Sequence, residues 1–225
     1  MLPFDSLHAN PNGLSVRYDG AGLRLAVLIS GRGSNLGALM KALAAEERLS
    51  IVLVISNLAD AGGLKIAEQA GIPTVVVEHR DFATRLDFDR ELDRLLRSAG
   101  IDLLCLAGFM RILTDEFVQK WAGRMINIHP SLLPKYPGLN THERAIAAGD
   151  REAGCTVHFV TALVDQGEII LQARVPIYPD DDRETLAARV LSVEHQIYPQ
   201  AVRLISQRIL GTFSTVPDRQ GQVDG

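Results

Sequence analysis

The chain is predicted to fold as one α/β domain, a Rossmann-like, mostly parallel sheet with helices on both faces. Two observations carry that expectation. Short apolar runs alternate with longer stretches of helical period through about residue 110, the βαβ pattern of a parallel sheet. No linker, repeat or low-complexity stretch divides the rest of the chain, so the alternation feeds a single sheet. A length of 225 residues permits one larger domain or two small ones, and 47% hydrophobic residues with mean hydropathy +0.09 supply enough apolar surface for a sizeable core. The domain is expected over residues 23–214, between a loose extension at 1–22 and a flexible tail at 215–225.

Residues 23–30 (LRLAVLIS) read as a buried strand, and a turn at 31–34 leads into a helix over 35–46 with Leu36, Leu39, Met40 and Leu43 on one face. A second strand is expected at 51–56, a helix at 63–70 closed by Gly71, and a strand at 74–77. Leu86, Leu92, Leu95 and Leu96 give a helix over 85–99 its inward face, and Gly100 stops it. A fourth strand lies at 103–107, followed by a short helix at 114–121 and a strand at 125–128. The helix at 141–148 has Asn140 and Glu143 in capping-box spacing at its start. Strands at 156–160 and 169–176 precede a long final helix over 183–207, with Asp181 and Asp182 near its positive end.

A formal charge of −4 provides no global basic field, which argues against a nucleic-acid partner and leaves local phosphate binding open. Cys105, inside the apolar run LLCLA, and Cys155, beside a predicted strand, read as reduced structural thiols of a cytoplasmic protein. No CxxC, HExxH or clustered Cys/His set occurs, so no metal is expected. No stretch approaches the about 20 apolar residues that cross a bilayer, and residues 1–22 lack the basic start and apolar centre of a signal peptide. No membrane partner is therefore expected.

Three segments carry candidate chemistry. Ser30-Gly-Arg-Gly-Ser-Asn35 joins the first strand to the first helix, where small residues let backbone N–H groups approach an anion at a positive helix end. A dinucleotide fingerprint would need glycine at Leu36 and an acidic residue near Ser56 and Asn57, so a single phosphate suits the loop better than NAD; an ordinary glycine turn is the plain alternative. Gly108-Phe-Met-Arg-Ile-Leu113 follows the fourth strand, on the carboxyl side where open α/β sheets bind ligands. There Met110, Ile112 and Leu113 are suited to wall a slot for a flat heterocycle, although periodicity alone favours core packing. Asn127 and His129 stand two apart in a short apolar strand and so face the same way. Pro130, Pro134 and Pro137 then forbid a helix and hold the next loop extended. An amide donor beside a titratable ring on a stiff scaffold suits oxyanion stabilisation and proton handling, yet a bare N-x-H is more often a pair of satisfied polar groups.

The long run Met125-Ile-Asn-Ile-His-Pro-Ser-Leu-Leu-Pro-Lys-Tyr-Pro-Gly138, continued by Leu139-Asn-Thr-His142, resembles the signature of the folate-dependent formyltransferases. With the other segments the resemblance covers about residues 25–210. It implies transfer of a formyl group from 10-formyltetrahydrofolate to the glycyl amine of phosphoribosylglycinamide, a step of purine synthesis. In that reading Asn127 donates to the oxyanion, His129 stabilises it as a cation and protonates the leaving nitrogen, and Asp165 orients His129 and relays a proton. Gly33, Ser34 and Asn35 cradle the substrate phosphate, and Glu194, otherwise read as a solvated helix charge, holds ribose hydroxyls.

The resemblance also implies that Met110, Arg111, Ile112 and Leu113 contact the pterin and that Arg85 meets the benzoyl-glutamate end of the cofactor. Asn127 with Thr161, Ala162, Leu163, Val164 and Asp165 completes the cofactor face. His158 reads either as a partner of the catalytic groups or as a satisfied buried histidine. One departure stands out: the family usually has glycine after the aspartate, whereas this chain has Gln166 and then Gly167, which puts the contacts of residues 161–165 in doubt. The implied partners are small molecules, phosphoribosylglycinamide and folate, with a homodimer left open. The nearest rival is a formyltetrahydrofolate deformylase, with water as acceptor. That family usually carries an additional N-terminal regulatory domain, for which 22 residues are too few, and lacks the Gly-Ser-Asn loop. A transferase acting on initiator tRNA would need a C-terminal RNA-binding domain. A non-catalytic nucleotide-binding module need not keep Asn127, His129 and Asp165 together.

Overall fold

The structure, a computed structural model, describes residues 22–211. Apart from Gly22, the extension expected at 1–22 and the tail expected at 215–225 lie outside the described residues. The first half of the chain alternates β1 (Leu23–Ile29), α1 (Ser34–Leu43), β2 (Leu49–Ser56), α2 (Gly62–Gln69), β3 (Thr74–Val76), α3 (Arg85–Ser98) and β4 (Leu103–Leu106). Then follow α4 (Asp115–Lys120), β5 (Met125–His129), α5 (Thr141–Ala147), β6 (Glu152–Phe159), β7 (Ile169–Pro176) and α6 (Arg183–Ile209). One seven-stranded sheet results, in the order β3-β2-β1-β4-β5-β6-β7. β1 to β5 run parallel, β6 runs antiparallel to β5, and β7, antiparallel to β6, returns to the common direction. The expected Rossmann-like, mostly parallel sheet is the observed one.

Strand alternation divides the core into two layers. Leu23, Leu25, Val27 and Ile29 of β1 pack with Leu36 and Leu39 of α1 and with Tyr198 and Val202 of α6. Ala26 and Leu28 point the other way, onto Phe88 and Leu92 of α3 and Phe117 of α4. The same two-residue period governs β5. Ile126 and Ile128 enter the first layer and Met125 the second, so Asn127 and His129 share the face of Met125 and emerge at the strand's carboxyl end. Because β1 has β2 on one side and β4 on the other, the chain leaves β1 and β4 in opposite directions. A crevice opens between the two exits, at the carboxyl edge of the sheet. The glycine loop after β1 and the 108–113 loop after β4 are those exits.

Several local expectations are corrected. Asn140 lies before α5 but makes no side-chain cap: its φ is 56°, in the left-handed region, and Glu143 pairs with Arg183 at 3.2 Å instead. The capping box stands at the start of α6, between Asp182 and Thr185. Asp181 beside it forms a two-pronged ion pair with Arg189 at 2.6 and 2.8 Å. In α3 the buried side chains are Phe88, Asp89, Leu92 and Leu96, whereas Leu86 and Leu95 are half-buried. β6 begins four residues before the predicted start (Glu152 rather than Thr156), because Glu152, Ala153 and Gly154 pair with β7 despite poor strand propensity. Gly154 is needed there, since a Cβ would lie 2.0 Å from the Ala173 carbonyl oxygen. Among the described residues, no helix is long and apolar enough to cross a membrane.

Helix α6 runs through Pro199 without ending, because Tyr198, Pro199, Ala201 and Val202 are all buried against the sheet. Tyr198 is fully buried, and its hydroxyl donates to the Leu106 carbonyl at 2.8 Å, tying α6 to the end of β4 beside the crevice. Tyr198→Phe keeps the ring and removes that donor. It is expected to lower unfolding stability by about 1 kcal/mol, read as a lower denaturant midpoint at unchanged m-value.

Candidate active site

Asn127, His129 and Asp165 come together at the end of β5, and His158 joins them from the neighbouring strand, where it pairs in register with Asn127. His129 places Nδ1 3.4 Å from Asp165 Oδ2 and Nε2 3.0 Å from the Tyr136 carbonyl oxygen. Both partners are acceptors, and the ring nitrogen that carries the hydrogen decides which of them it serves. His158 is arranged oppositely. Its Nδ1 faces the Phe159 carbonyl at 2.9 Å and so carries the proton, which leaves Nε2 to accept from the Asn127 amide at 3.2 Å. Burial pushes the His158 pKa below the ordinary histidine value, against the opposing pull of the Phe159 carbonyl and Asp165. Two imidazoles thus flank one carboxylate, and His158 orients the Asn127 amide.

Asp165 has φ 55°, a left-handed conformation that aspartate tolerates better than most residues. Its Oδ2 accepts from the Gly138 N–H at 2.8 Å, which anchors the proline-stiffened loop against the 161–167 turn. The departure at Gln166 needs no glycine, because Asp165 itself supplies the positive φ and Gln166 is an exposed turn residue. Gly167 is the constrained position, with a Cβ there only 1.7 Å from the Phe159 carbonyl oxygen. Thr161, Ala162, Leu163 and Val164 stand exposed beside the cluster in sequence and are open to a ligand.

In the glycine loop, Gly33 has φ 78° and immediately precedes α1. Its missing side chain has a second reason, since a Cβ would sit 2.4 Å from Gly63 Cα at the start of α2. Ser34 opens α1, and Asn35 turns its amide to donate to Glu194 Oε2 at 2.7 Å, although the two are far apart in sequence. Glu194 is therefore no solvated charge: it is 7% exposed, and burial pushes its carboxyl above the ordinary value while the Asn35 hydrogen bond partly opposes this. Asn35 Oδ1 is buried and has no hydrogen-bond partner.

The loop after β4 begins at Gly108 (φ 74°) and is held by a bond that the sequence reading missed. Ser30 Oγ accepts from the Met110 N–H at 2.7 Å and donates to Asn57 Oδ1 at 2.5 Å, so the ends of β1, β2 and β4 share one hydroxyl. The polar pair Ser56-Asn57 closing an apolar strand was the signal for it. Met110 and Ile112 project outward at 67% and 61% exposure, whereas Leu113 turns into the core. Arg85 stands exposed at the start of α3, and Arg111 is half-buried in the loop.

A recess of about 550 Å³ behind the proline loop, lined by Pro130, Leu133, Lys135, His142, Asp150 and Arg174 among others, includes none of the predicted site residues. Both cysteines are buried and free, with burial pushing each thiol up to about 12, so neither is a nucleophile. Among the described residues no group of three or more His, Cys, Asp or Glu side chains is placed to hold a metal ion.

Comparison with known proteins identifies the family. The chain matches the formyl transferase family over residues 23–202. It is 49% identical over 185 residues to the phosphoribosylglycinamide formyltransferase of Haemophilus influenzae, covering 82% of this chain and 87% of that protein. It is 52% identical over 202 residues to the trifunctional purine biosynthetic protein adenosine-3 of Drosophila melanogaster, and these span 88% of this chain but 15% of that longer protein. The solved glycinamide ribonucleotide transformylase 1 of Symbiobacterium toebii superposes with a TM-score of 0.82 at 44% identity, over 84% of this chain and 90% of that one. With its asparagine, histidine and aspartate gathered at the carboxyl edge of such a sheet, the chain belongs to the formyl transferase family, among the phosphoribosylglycinamide formyltransferases.

Proposed function

We propose that this protein transfers the formyl group of 10-formyltetrahydrofolate to the glycyl amine of phosphoribosylglycinamide, in the cytoplasmic synthesis of purines. The observation that carries the reading is the Asp165-centred cluster, in which the His129 ring and the Asn127 amide meet at the carboxyl end of β5. The amine attacks the formyl carbon and an oxyanion forms. Asn127 donates to that oxygen, and the His129 charge stabilises it from a site with little competing water. Collapse breaks the bond from the formyl carbon to the folate nitrogen. That nitrogen takes a proton from His129 once the Tyr136 hydrogen bond is exchanged, and Asp165, directly or through water, receives the proton shed by the amine.

One orphaned polar group and the exposed loop after β4 support the assignment of the ligand ends. The buried Asn35 Oδ1 wants a donor, and a ribose hydroxyl beside Glu194 supplies one, with the phosphate at the Gly33–Ser34 backbone and the start of α1. On the other side the exposed Met110 and Ile112, with residues 161–165, receive the folate ring, and Arg85 and Arg111 meet its carboxylate tail.

Separate His129→Ala, Asn127→Ala and Asp165→Asn proteins are expected to keep near-native Tm yet lose about 10²–10³ in kcat, because each group acts on charge that exists only in the transition state. Asn replaces Asp165 because it also tolerates a positive φ. Double variants are expected to lose much less than the product of the single losses. Any single variant with near wild-type kcat at neutral pH removes that residue from the mechanism.

The decisive assay follows absorbance of a 10-formylfolate analogue with and without phosphoribosylglycinamide. Rapid turnover that requires the amine is expected, with little formate from the cofactor alone. Formate release indifferent to the amine would assign the protein as a hydrolase. Unphosphorylated glycinamide riboside is expected to react far more slowly, since remote binding energy positions the amine. Glu194→Gln is expected to weaken amine-substrate binding by about 1.5–3 kcal/mol, with cofactor affinity unchanged.

A further inference from the structure

His129, Thr156 and Gln172 stand in register across three neighbouring strands, β5, β6 and β7, so their side chains share one face of the sheet. Thr156 is fully buried, and its hydroxyl uses its whole bonding capacity. It donates to the Ser131 carbonyl at 2.6 Å and accepts from the Leu133 N–H at 3.0 Å and from Gln172 Nε2 at 2.9 Å. Gln172 Nε2 also donates to the Leu133 carbonyl at 2.8 Å, so both hydrogens of its amide are engaged. Inside the turn after β5, Ser131 Oγ lies 2.6 Å from the Lys135 carbonyl oxygen and 3.2 Å from that of Tyr136, which share its one hydrogen. The Tyr136 carbonyl is the group that faces His129 Nε2 at 3.0 Å. An unbroken series of contacts leads from an amide on the edge strand to a ring nitrogen of His129.

An apolar side chain at position 172 would cover the turn, but the Leu133 carbonyl and the Thr156 hydroxyl would each lose a donor in a site largely closed to water. The outer end of the turn has its own anchors. The Tyr136 hydroxyl donates to Asp150 Oδ2 at 2.8 Å, and the Gly138 N–H donates to Asp165 Oδ2 at 2.8 Å. Those bonds leave the 131–133 stretch, next to His129, to Thr156 and Gln172. We infer that Gln172, acting through Thr156, is a positioning residue for His129: it fixes the turn whose Tyr136 carbonyl orients the ring. The inference rests on the reading of His129 as the proton donor in formyl transfer. The tautomer and tilt of an imidazole follow the acceptors at its two nitrogens, and a small displacement of one of them misplaces the proton.

The test compares wild type with Gln172→Met, which keeps the length of the side chain and removes the amide, and with the pair Thr156→Val and Thr156→Ser. The readouts are kcat, KM for each substrate, Tm, and the nitrogen chemical shifts of the His129 ring, assigned against His129→Ala, which report where the ring hydrogen sits. Gln172→Met is expected to lower kcat by about tenfold and to displace the His129 shifts. Both KM values are expected to stay within about twofold, and Tm to fall by only a few degrees. Thr156→Val is expected to behave in the same way, whereas Thr156→Ser restores most of kcat and the native His129 shifts. Unchanged His129 shifts in folded Gln172→Met, a loss carried by KM with kcat intact, or a Thr156→Ser protein as impaired as Thr156→Val would each overturn the inference. If Gln172→Met does not fold, the Thr156 pair decides by the same readouts. A His129→Ala protein with wild-type kcat would instead reject the catalytic reading of His129, a result separable from the ring shifts in Gln172→Met.

Discussion

A carboxylate withdrawn from water must be met by hydrogens or positive charge, and Asp165 satisfies that demand by tying together three segments of the chain. Its side chain is 10% exposed, yet it accepts from the Gly138 backbone and faces one nitrogen each of His129 and His158. The proline loop after β5 is thereby drawn onto the turn after β6. The same carboxylate stands between two imidazoles. His129 turns Nε2 to the Tyr136 carbonyl, while His158 spends its proton on the Phe159 carbonyl and turns a lone pair to Asn127. Groups that share one buried carboxylate act as a unit.

The sheet supplies the rigid frame for this cluster. Parallel strands end at one edge, and the reversal of direction at β1 separates the loops after β1 and β4 so that a ligand can enter between them. Those loops are not free to drift. Ser30 joins the end of β1 to Asn57 and Met110, Asp89 fastens Thr114, and Asn35 reaches α6 through Glu194. Each link is a buried polar contact between segments far apart in sequence. A buried polar group that loses its partner leaves the other one unsatisfied, so these contacts specify loop position more sharply than apolar packing does. The oxygen of Asn35 and the Nε of Arg111, in the segments after β1 and β4, stay buried without a partner and interrupt this accounting.

Much of this was legible before any coordinates. The apolar runs with glycine stops gave the parallel strands, because burial on both faces and the two-residue period leave direct marks on residue order. The N-x-H run, stiffened by prolines, marked the strand end at which Asn127, His129 and Asp165 gather. Less legible were features that depend on partners distant in the chain. Asn140 and Glu143 have the spacing of a capping box, but a left-handed Asn140 and the Arg183 partner of Glu143 prevail. The Glu152–Gly154 segment has little strand propensity and is a strand because β7 pairs with it. Asp89 looks like one more charge on a helix rich in them, and Glu194 like another.

The sequence by itself determined the fold class, the order of most elements and the identity of the Asn127, His129 and Asp165 cluster, because local periodicity, backbone stiffness and a long motif are properties of contiguous residues. Only the tertiary structure decided which groups face each histidine, that Glu194 is buried against Asn35, and that Ser30 and Asp89 hold the two ends of the 108–114 loop. Protonation and burial are set by what surrounds a group in three dimensions, and no pattern along the chain records which distant carbonyl, amide or carboxylate will face it.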